Sequence, residues 1–442
     1  MSLKTTISYN KTLGNILTRL KGQVMQKLFS NTLATGFNFV AKWLFNFALS
    51  KILTTGSFGA FSVVYSVANV LMNFISFGAN LHLIYSVSRE KEKKYEFLVK
   101  TWWISTAITV GATAVWLMLL PFEIHHVAFF GWSIGLGYTM ALCVVLFSFF
   151  KGMGQFDKEA KGFFVFFILT IAVIAVFWFT HSVWSIGTYF SLLIACSLAM
   201  LGYGVIRLRK QMHLDGASLK KADIKGGLRK FWNEKLPYGL HEMQSALYTH
   251  INIILLGFLV SDSDLGVFRS IQLLIVPVSI LPSIFSQVQL NQLSQKMGNP
   301  KMYLKSFRMF MFGTMGIGAV IYVLYYFMGE PMIAWMYNNA FDAELTSTLI
   351  VCFTFTFLFK FFSSNYGVLI TSAGSQKVRV YVTFLSIVLS VSLTIIFAQT
   401  HGIIGAAFAM VAANLTILVC YAAYGELVII KNLKNADSSS RA

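Results

Sequence analysis

The chain repeatedly contains apolar runs of about 20 residues, the length that an α-helix needs to cross a lipid bilayer. Twelve such runs can be drawn, at residues 30–53, 58–86, 98–120, 127–150, 162–181, 185–206, 236–260, 265–290, 306–328, 345–371, 378–399 and 402–427. Only 12% of the residues are charged, about half of the share that is usual in a soluble domain. The pattern predicts an all-α polytopic membrane protein with about 12 transmembrane helices, and it excludes a soluble enzyme, a disordered chain and a disulfide scaffold.

The basic residues indicate which helix ends face the cytoplasm. With the N terminus inside, 31 of the 35 Lys and Arg residues lie in cytoplasmic segments or at inner helix ends, and the outer loops hold none. This distribution satisfies the positive-inside rule, so both termini are predicted to be cytoplasmic. The net charge of +18 then reflects topology and contact with anionic membrane lipids, and binding of nucleic acid is not predicted.

The predicted spans group into two halves. Residues 1–29 are predicted to form an amphipathic segment, 30–206 the first six spans, 207–235 a basic cytoplasmic linker, 236–428 the last six spans and 429–442 a cytoplasmic tail. Short motifs recur between span n and span n+6, for example Gly-Ala-Phe from residue 59 and Gly-Val-Phe from residue 266. The offset is an even number of spans, which predicts two parallel six-helix lobes around a central cavity.

Four basic residues remain inside the predicted spans: Lys42, Lys51, Arg269 and Lys360. A charge at a helix centre costs about 2.5–3.5 kcal/mol on insertion scales, so such residues usually face a cavity. Lys42 and Lys360 lie near the middles of their spans, which favours cavity lining over snorkelling to the interface. Both interpretations stay open for Lys51 and Arg269, which lie nearer the outer ends.

Amide side chains add two polar stripes. Asn38, Lys42 and Asn46 follow one another at every fourth residue of span 1, and Asn73 and Asn80 belong to a similar stripe on span 2. Residues with this spacing share one face of a helix. They either hold helices together or line the cavity with the basic residues, and we include them among the candidate substrate-binding residues.

Span 7 carries two candidates for ion coupling, Glu242 and His250. Glu242 could instead form a structural bridge with a lysine, and a lone histidine on a helix is more often simply hydrogen-bonded. The basic residues within the spans outnumber Glu242, so the predicted cavity is net positive. Such a cavity suits a phosphate-bearing cargo, whereas a cation exporter would need the opposite sign.

No pattern in the sequence predicts catalysis. The four cysteines lie far apart in apolar runs without metal-ligand spacing, and we interpret them as packing residues. The motif G-x-x-x-x-G-K that binds nucleotide phosphates is missing. Short outer loops argue against a membrane glycosyltransferase, polymerase or ligase. We therefore expect no catalytic residues, no cofactor and no metal.

Several motifs resemble one family of transporters. They are Thr55–Phe61 and Phe77–Asn80 around span 2, Leu236–Gly239 and Leu265–Phe268 at the starts of spans 7 and 8, and Gly402–Ala407 at the start of span 12. The pattern resembles the Wzx-type O-antigen and polysaccharide flippases. These belong to the polysaccharide transporter family, in the superfamily that also holds the multidrug and toxin extruders and the lipid II flippase.

The resemblance implies a translocase of undecaprenyl-diphosphate-linked oligosaccharide in the bacterial inner membrane. It implies alternating access between the leaflets, a cationic central cavity, and the polysaccharide polymerase machinery as a partner. Many relatives carry an acidic residue where this chain has Asn252, which places ion coupling in doubt at that position and shifts attention to Glu242. A multidrug or cation antiporter of the same fold, with Glu242 as the exchange site, is the alternative.

Overall fold

The computed structural model describes residues 29–180, 184–216, 227–294, 296 and 299–439. Over these ranges the chain forms helices and no strand, which confirms the all-α prediction. The α-helices are α1 (29–52), α2 (Thr55–Ser76), α3 (Ala79–Arg89), α4 (Lys94–Leu119), α5 (Phe130–Gly152), α6 (Phe156–Thr180), α7 (Ile186–Leu214), α8 (Leu228–Leu259), α9 (Asp262–Ile275), α10 (Leu281–Ser294), α11 (Pro300–Tyr337), α12 (Ala343–Ser372), α13 (Gln376–Tyr424) and α14 (Lys431–Ser439). The predicted amphipathic segment lies outside the described residues except for residue 29, and so do positions 217–226 of the predicted linker.

Eight helical runs in the described chain are long and apolar enough to cross a membrane. They are Thr55–Arg89, Lys91–Phe122, Val127–Gly152, Phe156–Thr180, Ile186–Leu214, Pro300–Tyr337, Ala343–Ser372 and Gln376–Asn435. The last run contains both predicted spans 11 and 12, so the eight runs hold nine of the predicted spans. Predicted spans 1, 7 and 8 lie in α1, α8 and the pair α9–α10. The multi-pass membrane class is therefore supported, while the count of 12 spans stays a prediction.

Two of the predicted spans are interrupted by breaks in the helix. Between α2 and α3 the backbone turns at Phe77 and Gly78, with φ of +43° and +76°. Predicted span 8 is divided into α9 and α10, and Pro277, which removes one backbone donor from a helix, lies between them.

A third break, at Gly402 with φ +57° and ψ −137°, divides α13 at the boundary between predicted spans 11 and 12. Glycine adopts this conformation without the steric cost that a Cβ would bring.

The described helices pack into two compact units, each built from separate stretches of the chain. The first unit takes the described residues within Met1–Phe45, Leu71–Pro121 and Gly131–Glu242, and the second takes those within Asn46–Val70, Phe122–Phe130 and Met243–Ala442. The lobes drawn from the sequence at 30–206 and 236–428 stay a prediction.

Aromatic side chains form much of the interior of both units. In the first unit Phe149, Phe150 and Phe190 are fully buried. In the second unit the rings of Phe268 and Phe353 meet edge to face, with centroids 4.9 Å apart. Lipid tails are as apolar as these side chains, so close packing rather than transfer from water holds membrane helices together.

An ion pair outside the membrane-spanning segments stabilises the first unit. Asp215, which follows the last residue of α7, accepts hydrogen bonds of 2.6 Å from the Lys94 ammonium and from the Tyr95 hydroxyl. These two hydrogen bonds lower the pKa of the Asp215 carboxyl. The pKa is lower in the folded than in the unfolded chain, so the stabilisation exists above the unfolded value of about 3.9 and is lost as the pH falls through the folded value.

We expect Asp215→Asn to lower the melting temperature at neutral pH by an amount equivalent to about 1 kcal/mol or less, because partly exposed ion pairs are screened by water. The difference between the variant and the wild type should shrink as the pH is lowered through the folded-state pKa of Asp215. Thermal unfolding in detergent over a pH series measures this difference. A difference that is constant over the whole series would contradict the assignment.

Candidate functional site

The second unit brings Arg269 together with polar side chains from two other helices. Arg269 lies on α9 and donates a hydrogen bond of 2.5 Å from Nη1 to Oε1 of Gln272, one turn further along. The hydroxyl of Tyr65 on α2 lies near the Arg269 guanidinium and hydrogen-bonds with the side chains of Asn46 and Asn69. We call these five residues the Tyr65 cluster. It unites two residues that the sequence singled out, Arg269 and Asn46.

The guanidinium of Arg269 keeps unused hydrogen-bonding capacity. Its Nε is buried and has no hydrogen-bond partner among the described residues. Within the same part of the chain, no carboxylate lies within 4.0 Å of its nitrogens. An arginine offers five donors in a planar fork, so this group can accept a further anionic oxygen.

Lys360 lies near the middle of α12 and is exposed, whereas its neighbours Phe357 and Phe361 are buried. Ser363 and Ser364 follow Lys360 by three and four residues, a spacing that places them on its face of the helix. In the structure both hydroxyls donate to backbone carbonyls of their own helix, at 3.1 Å and 2.7 Å. The two hydroxyls are thus used within the helix, and Lys360 supplies the charged side chain between Phe357 and Ser364.

Lys42 and Asn38 lie one turn apart on α1 in the first unit, and both side chains are partly buried. The Oδ1 atom of Asn38 is buried and has no hydrogen-bond partner within the described residues. Nearby on the helix, Phe37 packs against Phe164 with ring centroids 5.3 Å apart. The helical spacing of the predicted stripe is thus present, and its role in substrate binding stays a prediction.

Lys51, at the end of α1 in the second unit, makes a contact with an aromatic ring. Its Nζ lies 4.5 Å from the centroid of the Tyr337 ring, and Ser50 shares a hydrogen bond of 2.7 Å with the Tyr337 hydroxyl. A cation–π contact contributes about 0.5–2 kcal/mol. Lys51 therefore has a packing role between α1 and the end of α11, whatever part it takes in binding.

The amides predicted on span 2 contact different parts of the first unit. Asn80 is exposed, and its Oδ1 accepts from Nζ of Lys151 at 3.5 Å. Lys151 also forms an ion pair with Glu159 at 2.8 Å. The backbone carbonyl of Asn73 accepts hydrogen bonds from the Ser76 hydroxyl and from the Phe77 N–H in the last turn of α2. Asn73 and Asn80 thus frame the break between α2 and α3.

Glu242 contacts this break directly. Its Oε2 accepts from the backbone N–H of Gly78 at 3.0 Å and from the hydroxyl of Ser76 at 3.5 Å. The N–H groups at the start of a helix lack partners within the helix and attract negative charge, so the carboxylate stabilises the start of α3. His250 lies two turns further along α8, about 12 Å along the helix axis, and is partly buried.

Lys235 was assigned to the cytoplasmic linker because it follows a run of basic residues, yet its side chain is fully buried. Its Nζ has no hydrogen-bond partner among the described residues, and its charge attracts the carboxylate of Glu242. The seven-residue spacing from Lys235 to Glu242, which places both on one face of α8, is the signal that could have identified the pair.

Asn252 lies at the position where the family resemblance predicts an acidic residue. Its Oδ1 accepts from the hydroxyls of Ser390 and Thr394 at 2.9 Å and 3.2 Å. The amide therefore joins α8 to α13 through neutral groups.

The first unit also contains a cavity of about 700 Å³ at the ends of α3, α4 and α8. The charged side chains that line it have both signs: Arg89, Lys93, Lys100, Lys230, Glu90, Glu96 and Glu234. With four basic and three acidic side chains in its lining, this cavity has no strong excess of either charge.

The profile of a family described as "Polysaccharide biosynthesis protein" matches residues 24–295, which is more than half of the chain. The chain belongs to this family. No match was found among the curated proteins.

Solved structures with the same fold come from a superfamily of membrane transporters abbreviated MOP. An inward-facing multidrug resistance MATE transporter is 14% identical, with a TM-score of 0.69 over 92% of this chain and 99% of the transporter. The lipid II flippase MurJ, in an inward closed conformation, is 16% identical, with a TM-score of 0.71 over 88% of this chain and 86% of MurJ.

A MOP transporter from Pyrococcus furiosus, described by the reverse polarity of its binding pocket, is 12% identical. Its TM-score is 0.65 over 93% of this chain and 96% of that transporter. At these identities the likeness concerns the fold alone. This family member therefore has the fold of the MOP superfamily, as its motifs predicted.

Proposed function

We propose that this member of the polysaccharide biosynthesis family is a flippase. Its cargo is undecaprenyl-diphosphate-linked oligosaccharide, such as an O-antigen repeat unit, which it moves from the cytoplasmic to the periplasmic leaflet by alternating access. The family match supports a role in polysaccharide biosynthesis, and the shared fold with a lipid II flippase is consistent with a lipid-linked cargo. The chain then lies in the bacterial inner membrane with both termini in the cytoplasm.

The observation that carries the proposal is the set of basic groups within the predicted membrane spans. Arg269 and Lys360 have no carboxylate partner within 4.0 Å among the described residues, and Glu242, the acidic candidate in predicted span 7, accepts a hydrogen bond from the start of α3. Uncompensated positive charge is costly in a membrane unless it serves a function. A diphosphate would compensate it through charge-assisted hydrogen bonds.

In this mechanism Arg269 and Lys360, together with Lys42, neutralise the diphosphate during transfer. The amides of Asn38, Asn46, Asn73 and Asn80 offer hydrogen bonds to the sugars, since a carboxamide both donates and accepts. Lys51 belongs to the same candidate set. The polyprenyl tail stays in the lipid, so the protein needs to shield only the charged and hydroxylated part of the cargo.

Ion coupling is proposed at Glu242, with His250 as the second candidate. A change in the charge of Glu242 would change its attraction for the N–H of Gly78 and thus the break between α2 and α3. The polysaccharide polymerase machinery, which would use the transported unit on the outer face, is the proposed partner.

The test is the sidedness of lipid-linked repeat units in a strain that lacks the gene. Undecaprenyl-diphosphate-linked units are probed in spheroplasts with a glycan-modifying reagent that does not cross the membrane. We expect the units to accumulate in a protected form, and the wild-type gene, but not Lys360→Ala, to restore modification. Lys377→Ala, a change of an exposed lysine on α13, is the matched control. If no lipid-linked unit accumulates, the proposed cargo is wrong and the antiporter alternative is to be tested.

A further inference from the structure

Two histidines and an aspartate converge within the second unit. His125 and His126 lie in the segment between α4 and α5, and Asp262 is the first residue of α9. His126 has a left-handed backbone conformation, with φ +65° and ψ −15°. This conformation is uncommon for a residue with a Cβ, and here the two adjacent imidazoles both reach the same carboxylate.

Both imidazoles lie against the carboxylate of Asp262, each nearest to a different oxygen. Nε2 of His125 lies 3.3 Å from Oδ2 of Asp262, and Nε2 of His126 lies 3.0 Å from Oδ1. One ligand atom from each of the three residues can be chosen so that all three lie within 4.8 Å of one another. Two ligands that are each about 2.0–2.1 Å from a tetrahedral zinc ion are separated by about 3.4 Å, which is close to both histidine–aspartate distances.

The contact between His126 and Asp262 joins two buried atoms. Nε2 of His126 and Oδ1 of Asp262 lie 3.0 Å apart, and neither atom hydrogen-bonds to any other described residue. The ring of His126 also hydrogen-bonds to the backbone of Gly257. A bond of this kind from the other ring nitrogen commonly fixes the tautomer of a metal-binding histidine and directs its free nitrogen to the ion.

We propose that His125, His126 and Asp262 form a binding site for a zinc ion. Two imidazole nitrogens and one carboxylate oxygen are a ligand set that zinc accepts, with water in the fourth position. Magnesium and calcium prefer sites built of oxygen atoms, so the two imidazoles select against them. His125 is 64% exposed, so its side chain can rotate to complete the tetrahedron.

A bound zinc ion would fasten the segment before α5 to the start of α9. Asp262 also takes part in the close packing of α9 on α2, because its carbonyl lies against Gly59. A carboxylate at the start of a helix is favourable by itself. Asp264, two residues after Asp262, also places a carboxylate in the first turn of α9. The two histidines are not explained by helix capping, whereas they are explained by a metal ion.

Metal binding is tested on the full chain in detergent, purified with a tag that contains no histidine and stripped of metal. Zn²⁺ is titrated by calorimetry near neutral pH, and Co²⁺ is added separately to read the coordination geometry from its absorption spectrum. We expect one zinc ion per chain and a tetrahedral cobalt spectrum. His125→Ala and Asp262→Asn should each weaken binding at least tenfold, since the loss of even a second-shell partner costs about 10–100-fold.

His401→Ala, which changes another exposed histidine, is the matched control and should bind like the wild type. His125 is exposed, so its variant is expected to fold and decides the question even if Asp262→Asn is unstable. The proposal is overturned if wild-type protein binds no zinc, or if His125→Ala binds it with unchanged affinity and stoichiometry. None of these outcomes depends on the identity of the transported cargo.

Discussion

Replacement of Arg269 or Lys360 by alanine is expected to reduce transport of the lipid-linked oligosaccharide about 10- to 100-fold, while the amount of folded protein stays unchanged. A hydrogen bond to a charged group contributes about 1.5–3 kcal/mol, and 1.4 kcal/mol corresponds to a factor of ten. Neither residue has a carboxylate partner within 4.0 Å in the described chain, so the alanine variants leave no orphaned acid behind. The loss should therefore appear in transport rather than in stability.

Conservative substitutions separate charge from geometry. Lys360→Arg keeps the charge and should retain most of the transport activity. Arg269→Lys keeps the charge but loses the planar fork that donates to Gln272, and the two side chains are not equivalent at a bidentate site. We expect this variant to lie between the wild type and Arg269→Ala.

The measurement is transfer of a labelled undecaprenyl-diphosphate oligosaccharide in proteoliposomes, with protein quantified after reconstitution. Lys377→Ala again provides the control, because it removes a positive charge from an exposed position. Unchanged transport in both Arg269→Ala and Lys360→Ala would show that the cationic residues do not bind the cargo. An equal loss in Lys377→Ala would mean that net charge rather than these positions matters.

The sequence predicted the fold class because hydropathy acts locally. Runs of about 20 apolar residues report a helix in lipid without any knowledge of its neighbours. The same argument drew a boundary between spans 378–399 and 402–427, and the backbone of α13 breaks at Gly402 beside that boundary. The count of spans depends on neighbouring structure as well. Predicted span 8 is divided into α9 and α10, which have 14 residues each and are shorter than the roughly 20 residues that a single span needs.

Contacts between residues that lie far apart in the sequence could not be predicted from it. Glu242 is predicted from the sequence as a coupling site or a lysine partner, and the structure adds a contact of its Oε2 with Gly78, which lies 164 residues earlier. Asp262 and His126 are similarly far apart, and sequence motifs detect metal sites only when the ligands follow a local spacing. Arg269 could be identified because a charged residue in an apolar run is conspicuous without knowledge of its contacts.

The repeated motif was visible in the sequence, but the contacts that its glycines make were not. Gly59 and Gly266 were matched as counterparts of the two halves of the sequence. The structure adds that the two glycines pack against each other's helices within the second unit. A Cβ on Gly59 would collide with the carbonyl of Asp262, and a Cβ on Gly266 would collide with the carbonyl of Thr55. A hydrogen bond of 3.0 Å between the hydroxyls of Thr55 and Ser263 lies beside this contact.

Gly266→Val is therefore expected to prevent formation of the stable protein, and Gly59→Val should have a similar effect. The colliding atoms belong to the backbone, which cannot rotate away as a flexible side chain can. Overpacking in a rigid interior costs about 1–3 kcal/mol or more, and membrane helices depend on small residues for such close approaches. Thermal stability in detergent, followed by size-exclusion chromatography of the heated protein, measures the effect.

Gly316→Ala on α11 provides the matched control for these variants. No atom lies within 4 Å of the position that a Cβ would occupy there, and alanine favours a helix over glycine by about 1 kcal/mol. We expect this variant to melt at the same temperature as the wild type or slightly above it. If Gly266→Val melts together with Gly316→Ala, the approach of α2 and α9 is not as close as described. Because Asp262 lies in this same contact, the zinc site proposed above would then lose its geometric basis as well.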